Sequence, residues 1–177
     1  LYPGSGRGIE GVDLDLARGS FTVVTGRIGS GKTTLLRALL GLLPAQGGEI
    51  RWNGEPVEDA AAFFQPPRCA YTGQAPTLFS ESLLDNLLMG LPPDQVDLDR
   101  ALHAAVLEQD VAGLAQGLET VVGPKGVRLS GGQVQRAAAA RMFVRRPELL
   151  VFDDLSSRLD VNTEQTLWER LAACGGD

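Results

Sequence analysis

Gly26-Arg27-Ile28-Gly29-Ser30-Gly31-Lys32-Thr33 decides how the rest of the chain is read. The order G-x-x-x-x-G-K-[ST] is that of a phosphate-binding loop, and the flanking residues suit one. Before it, Phe21-Thr22-Val23-Val24-Thr25 is β-branched and aromatic and predicts a buried strand. After it, Thr34-Leu35-Leu36-Arg37-Ala38-Leu39-Leu40 predicts a helix that Gly41 and Pro44 stop. A strand that passes through a glycine turn into a helix aims several backbone N–H groups at one point. The helix dipole adds positive potential there. Lys32 supplies a mobile cation for the β- and γ-phosphates, and the Thr33 hydroxyl is a ligand for Mg²⁺. The plainer reading is a glycine-rich turn before a lysine, a coincidence on the order of one in a hundred at this length. The stretch predicts a nucleoside triphosphate site.

Composition bounds what can surround that loop. A chain of 177 residues, 44% hydrophobic and 21% charged, has the balance of one soluble globular domain, long enough for a sizeable core. The formal net charge is −6 and no basic run exceeds Arg145-Arg146, which argues against a dedicated nucleic-acid surface. No apolar run reaches the roughly 18–20 residues that span a bilayer. A link to a membrane is therefore expected through a partner or another part of the polypeptide. Cys69 and Cys174 are too few and too far apart for a disulfide framework or a metal site, and free thiols fit the cytoplasm.

In chain order, Val12-Asp13-Leu14-Asp15-Leu16 alternates strictly and predicts a half-buried strand. Gly47 to Gly54 predicts a short strand ended by an Asn53-Gly54 turn, so an antiparallel β lobe is expected beside the nucleotide core. Glu55 to Pro67 reads as a loop with a helical turn, and Arg68-Cys69-Ala70-Tyr71-Thr72 as a strand leading into Gly73-Gln74. From Ser80 to Arg146 the apolar period turns helical. Helices are expected over Ser80–Leu88, Asp97–Glu108 and Val111–Ala115, forming an all-helical insertion with its own small core.

Two further constellations carry chemistry. At Leu129-Ser130-Gly131-Gly132-Gln133, Ser130 is placed as an N-cap for the alanine-rich helix that follows. The residues alone leave open a second anion site or a capped helix start and nothing more. In Leu149-Leu150-Val151-Phe152-Asp153-Asp154, four apolar residues predict a fully buried parallel strand with two carboxylates at its C-terminal end. Asp153 is placed to hold Mg²⁺ through water, and Asp154 to orient or deprotonate an attacking water.

The phosphate loop, Gln74, Leu129-Ser130-Gly131-Gly132-Gln133, Asp153 and Ser157-Arg158-Leu159-Asp160 follow one another in the order of ABC transporter nucleotide-binding domains. The chain resembles that family from Tyr2 to about Arg170. The resemblance implies an α/β fold: a P-loop NTPase (RecA-like) core with an antiparallel β lobe and a helical insertion lobe. Residues 1–177 would form a single ABC ATPase domain, 1–73 and 148–177 its nucleotide-binding core with the β lobe, and 74–147 its helical lobe. ATP and Mg²⁺ are the implied cofactors. Gly26 to Thr34 would cradle the phosphates, and Tyr2 would stack on adenine, a contact typically worth roughly 1–3 kcal/mol. Gln74 would touch Mg²⁺ and the attacking water, and would report to a transmembrane domain. Ser130, Gly131, Gly132 and Gln133 would reach the nucleotide of a second nucleotide-binding domain, identical or different. Asp160 would belong to the loop that couples the two sites. Catalysis would rest on Lys32, Gln74 and Asp154, at the cytoplasmic face of the cell membrane.

The Gln74–Leu87 segment, and Thr120–Gly126 ahead of the signature, resemble exporters, although Pro124 stands where many of them place a glutamate. Exporters usually join this domain to six membrane helices, so the sequence is expected to be an excised piece. Two departures bear on hydrolysis. Asp154 stands where the family usually has glutamate, and about 1 Å of misplacement can cost roughly 100-fold in rate. The family's switch histidine follows a later strand, beyond Asp177, and His103 is expected to be a surface or packing residue. Three functions follow from the resemblance. They are the ATP-driven motor domain of an exporter, a degenerate ATP-binding regulatory half of an asymmetric transporter, and a soluble non-transport ABC ATPase. The last of these usually carries a long coiled coil or a second ATPase domain.

Overall fold

The computed structural model describes residues 8–174. The described elements are, in order, α1 (Lys32–Leu39), β1 (Arg51–Trp52), β2 (Glu55–Pro56), α2 (Ala60–Phe63), β3 (Cys69–Thr72) and α3 (Leu83–Leu88). They continue with α4 (Leu98–Ala104), α5 (Glu108–Gly113), α6 (Gly131–Phe143), β4 (Leu149–Phe152) and α7 (Val161–Cys174). None of these helices is long and apolar enough to cross a membrane.

The helix after the phosphate loop stops as expected. Gly41, at φ 70°, donates to Ala38 O, and Leu42 N donates back to Arg37 O at 2.8 Å. This paired closure needs a left-handed residue after the C-cap, and glycine takes that conformation without a Cβ clash. The Asn53-Gly54 turn also forms. Both residues have positive φ, and they close the β1–β2 hairpin with Trp52 opposite Glu55. The side chains of Trp52, Phe63 and Phe64 meet edge to face behind it.

The end of the fold nearest Thr33 rests on a parallel pair. β3 and β4 run in register from Cys69 opposite Leu149 to Thr72 opposite Phe152. Cys69 is fully buried there, and burial pushes its thiol up to about 11, so it behaves as an inert packing residue. β4 was expected to be fully buried, but all four of its residues are half-buried. Among the described residues it pairs along one edge only.

The strands expected at Val12–Leu16 and Phe21–Thr25 do not form among the described residues. No ladder hydrogen bonds tie either segment to another described one, and a strand exists only through its partner. Phe21 and Val23 consequently stay 68% and 65% exposed. Phe21 is held instead by the ring of Trp168 on α7, whose other neighbour is Phe152 of β4. The antiparallel β lobe is reduced, among described residues, to the single β1–β2 hairpin.

Between β3 and β4 the chain is helical, as its period implies. Ser82 caps α3, which buries Leu83, Leu87 and Leu88 against the alanine face of α6. Alanines 137–140 are all buried, and their small side chains let neighbouring helices approach closely. Asn86 is the polar centre of this core. It exchanges hydrogen bonds with the backbone of Phe79, while Arg141 Nε on α6 donates to its carbonyl at 2.7 Å. The helix expected over Asp97–Glu108 breaks at Val106, whose φ is 56°. Val106 N donates to His103 O and Leu107 N to Leu102 O, closing α4 without a glycine. The turn buries Leu102 and Leu107 together, which offsets the strain of a β-branched residue at positive φ. The helix expected over Val111–Ala115 is the second half of α5, which ends at Gly113.

Candidate functional site

The phosphate loop enters α1 through Gly31, at φ 94°, where a Cβ would lie 2.6 Å from Ile9 Cγ2. Only glycine fits that conformation and that contact. The first turn of α1 carries no acidic side chain of its own, so the positive end of its dipole is not offset from within the helix. Lys32 folds back across the loop and donates from Nζ to Gly26 O at 2.9 Å and Arg27 O at 3.2 Å. Ile28 at the tip is fully exposed. Thr34 follows Thr33 in the first turn of α1.

Thr33 joins this loop to β4. Its Oγ1 donates to Asp153 Oδ1 at 3.0 Å, and Gln74 Nε2 donates to the same Thr33 oxygen at 3.4 Å. Asp153 is 4% exposed, and its N–H donates to Thr72 O, which carries the β3–β4 ladder one residue past β4. Tyr71 donates to Asp153 Oδ2 at 3.4 Å and accepts from Arg37 Nε at 3.5 Å. One carboxylate, a hydroxyl and an amide around one point match what Mg²⁺ asks of a protein that binds it beside phosphates, since Mg²⁺ keeps waters and substrate oxygens in its shell. Among the described residues no cluster of three His, Cys, Asp or Glu offers an all-protein metal cage.

The two neighbouring aspartates differ sharply. Asp153 points into the parallel pair, while Asp154, at φ 67°, turns away and is exposed. Aspartate tolerates the left-handed region better than most side chains do. The carbonyl of Asp154 accepts from Gln135 Nε2 at 3.3 Å and from Ser157 Oγ at 3.4 Å.

Ser130 caps α6 as expected. Its Oγ accepts from Gln133 N, and Gln133 Oε1 accepts from Ser130 N at 2.7 Å, a reciprocal capping box. Gln133 Nε2 donates to Asp110 Oδ1 at 2.9 Å, and Arg136 pairs with the same Asp110 carboxylate, so α5 steadies the start of α6. Gly131 and Gly132 face Arg158: an added Cβ on either would come within 2.9 Å of its side chain or its carbonyl.

The fold thus gathers Gly26–Thr33, Gln74 and Asp153 around one point. Ser130, Gly131, Gly132 and Gln133 lie elsewhere, and no hydrogen bond links them to the phosphate loop among the described residues. Tyr2 falls outside the described residues. Asp160 accepts from Thr163 N at 3.1 Å and Thr163 Oγ1 at 2.6 Å, capping α7. His103 is exposed beside Glu108. Burial acts to raise the Glu108 carboxyl, but its backbone hydrogen bond, Arg170 and His103 together hold it below the usual range. Tyr71 and Asp110 are site neighbours that no motif marked, while Gln135 belongs to the helix that trails the Leu129–Gln133 motif.

A glycine loop opening a helix, beside a parallel strand that ends in a carboxylate, defines a P-loop NTPase. The sequence model of the family described as ABC transporter matches residues 9–157, and the chain belongs to that family. It is 35% identical over 168 residues to ABC multidrug transporter B of Aspergillus fumigatus, covering 95% of this chain and 11% of that protein. It is 36% identical over 169 residues to the probable multidrug resistance ABC transporter ATP-binding/permease protein YheI of Bacillus subtilis, covering 94% of this chain and 29% of that protein. A solved structure of a bacterial Atm1-family ABC exporter with ATP bound superimposes with a TM-score of 0.73 at 30% identity. The match covers 83% of this chain and 26% of that one. The chain therefore spans less than a third of the length of these relatives.

Proposed function

We propose that this chain is the nucleotide-binding domain of an ABC exporter, and that it binds ATP with Mg²⁺ and hydrolyses it to drive transport. The observation that carries this reading is the 3.0 Å hydrogen bond from Thr33 to Asp153 at the foot of the phosphate loop, with Gln74 beside it.

On this reading the N–H groups of Gly26 to Thr34 wrap the phosphates, and Lys32 swings from the loop carbonyls onto them. Thr33, Gln74 and Asp153 hold Mg²⁺, which when bound neutralises the phosphate oxygens as a Lewis acid. Gln74 and Asp154 orient the attacking water, and Asp154 takes its proton. Tyr2 stacks on the base. Ser130, Gly131, Gly132 and Gln133 serve the nucleotide of a second nucleotide-binding domain, so each site is shared between two domains. Residues 1–73 and 148–177 form the nucleotide-binding core and 74–147 the helical lobe, at the cytoplasmic face of a membrane beside a transmembrane partner.

A second reading, an ATP-binding regulatory half of an asymmetric transporter, is favoured by one feature. Asp154 is a methylene shorter than glutamate and sits on a left-handed residue. The test is ATP binding and turnover in the intact protein, with Asp154→Glu beside the wild type. Turnover is expected to rise about tenfold or more, given the steep cost of roughly 1 Å of misplacement. Unchanged turnover removes Asp154 as the limiting group, and failure to bind ATP removes the assignment itself.

A further inference from the structure

Gln135 is a buried polar side chain that the proposed chemistry does not use. It projects from the second turn of α6 and is 1% exposed. A buried amide is costly unless its donors and acceptor are matched, and here its partners lie in one short turn. Nε2 donates to Asp154 O and to Ser157 Oγ, both at 3.3 Å. Oε1 accepts from Arg158 N at 3.2 Å. One side chain therefore bridges the whole turn that follows β4.

A second observation reaches the same place. The glycines that open α6 leave room for that turn: a Cβ on Gly132 would stand 2.9 Å from Arg158 O, and one on Gly131 2.9 Å from Arg158 Cδ. The turn from Asp154 to Arg158 is thus clamped to α6 by close packing at the helix start and by the Gln135 amide one turn further on. The clamp supports Asp154 at φ 67°, a conformation that aspartate tolerates at some cost and that surrounding contacts stabilise. With its carbonyl held by Gln135 and Ser157, the backbone of Asp154 is supported from α6 as well as from β4.

We propose that Gln135 is a positioning residue for hydrolysis, holding the Asp154–Arg158 turn so that the Asp154 carboxylate faces the attacking water. This rests on the reading of Asp154 as the water-orienting group. It also gives α6 two tasks. Its N-terminus meets the nucleotide of the second domain, and its second turn sets the carboxylate of this chain's own site. A shift of α6 on engagement with the opposite nucleotide moves Asp154 with it.

The test is a double-mutant cycle in the intact protein between Gln135→Met, which keeps volume and removes all three hydrogen bonds, and Asp154→Asn. Gln135→Met is expected to lower kcat at least tenfold while KM for ATP and the affinity for a non-hydrolysable ATP analogue stay within twofold. In the Asp154→Asn background it should have no further effect on kcat. Hydrogen–deuterium exchange supplies a readout independent of turnover: the peptide containing residues 154–159 should exchange at least tenfold faster, with the phosphate-loop peptide unchanged. Effects on kcat that add, or exchange in 154–159 that matches wild type, would overturn the proposal. If Asp154→Asn alone leaves kcat unchanged, the Asp154 reading fails, and the exchange measurement still decides whether Gln135 fixes the turn. Should Gln135→Met not fold, Ser157→Ala removes one Gln135 acceptor, together with the Ser157–Asp154 hydrogen bond, from an exposed position. It should speed exchange in the same peptide by a smaller factor, and no change there counts against the clamp.

Discussion

Thr33 Oγ1 donates to Asp153 Oδ1 at 3.0 Å, tying the first turn of α1 to the end of β4 across 120 residues of chain. The bond sets the spacing between a hydroxyl and a carboxylate that, on the proposed reading, share one small cation. Asp153→Asn and Thr33→Val should each weaken Mg²⁺ binding by about 10–100-fold, the usual cost of disturbing the groups around a metal. The measurement is Mg²⁺ titration of a fluorescent ATP analogue on the intact protein, with binding in EDTA as the control. Equal losses with and without Mg²⁺ would mean that the pair serves the loop's shape and not the cation.

Gly41 offers a test of stability separate from chemistry. An added Cβ would lie 2.3 Å from Ala61 N and 2.7 Å from Ala61 Cα, on backbone that cannot step aside. Gly41→Ala combines that clash with a left-handed alanine, together about 2–4 kcal/mol. Thermal melts should show a midpoint lower by about 5–15 °C for a domain of this size. A shift of a degree or less would show that α2 can move away from α1.

Asp160 ties stability to pH. The hydroxyl and N–H of Thr163 hold its carboxyl below the usual aspartate range. A carboxyl with a depressed pKa in the folded state favours folding fully above its unfolded value, near pH 4, and loses that contribution as pH falls through the folded one. Asp160→Ala should therefore melt lower than wild type at neutral pH, with the gap closing as pH drops below about 4. A gap that stays constant down to pH 2 would assign the effect to helix capping without charge.

What could be read from the sequence was whatever is settled within a few residues. The phosphate loop, the Ser130 N-cap, the Gly41 stop and the Asn53-Gly54 turn are local, and each formed where its spacing implied. The segments 12–16 and 21–25 have the right residues for strands, but pairing belongs to two segments at once and their own sequence cannot report a partner. Val106 carries no glycine or proline to announce a break; only the joint burial of Leu102 and Leu107 favours it. Tyr71 escaped notice for the same reason, since Asp153 lies 82 residues away. Gln135 was legible as part of the run after the Leu129–Gln133 motif, but its partners, 19–23 residues on, were not.

The posture of Lys32 changes what nucleotide binding means for this loop. Its ammonium already has two carbonyl acceptors, at Gly26 and Arg27. A phosphate that recruits it takes over existing bonds, so the event is an exchange of acceptors and not a simple addition. Part of the charge attraction is offset by the contacts given up, and the two released carbonyls must turn to water or to the ligand's own donors. The cost of releasing those two carbonyls is common to every anion that recruits Lys32, so it lowers affinity for all of them and leaves their ranking to the loop's other contacts.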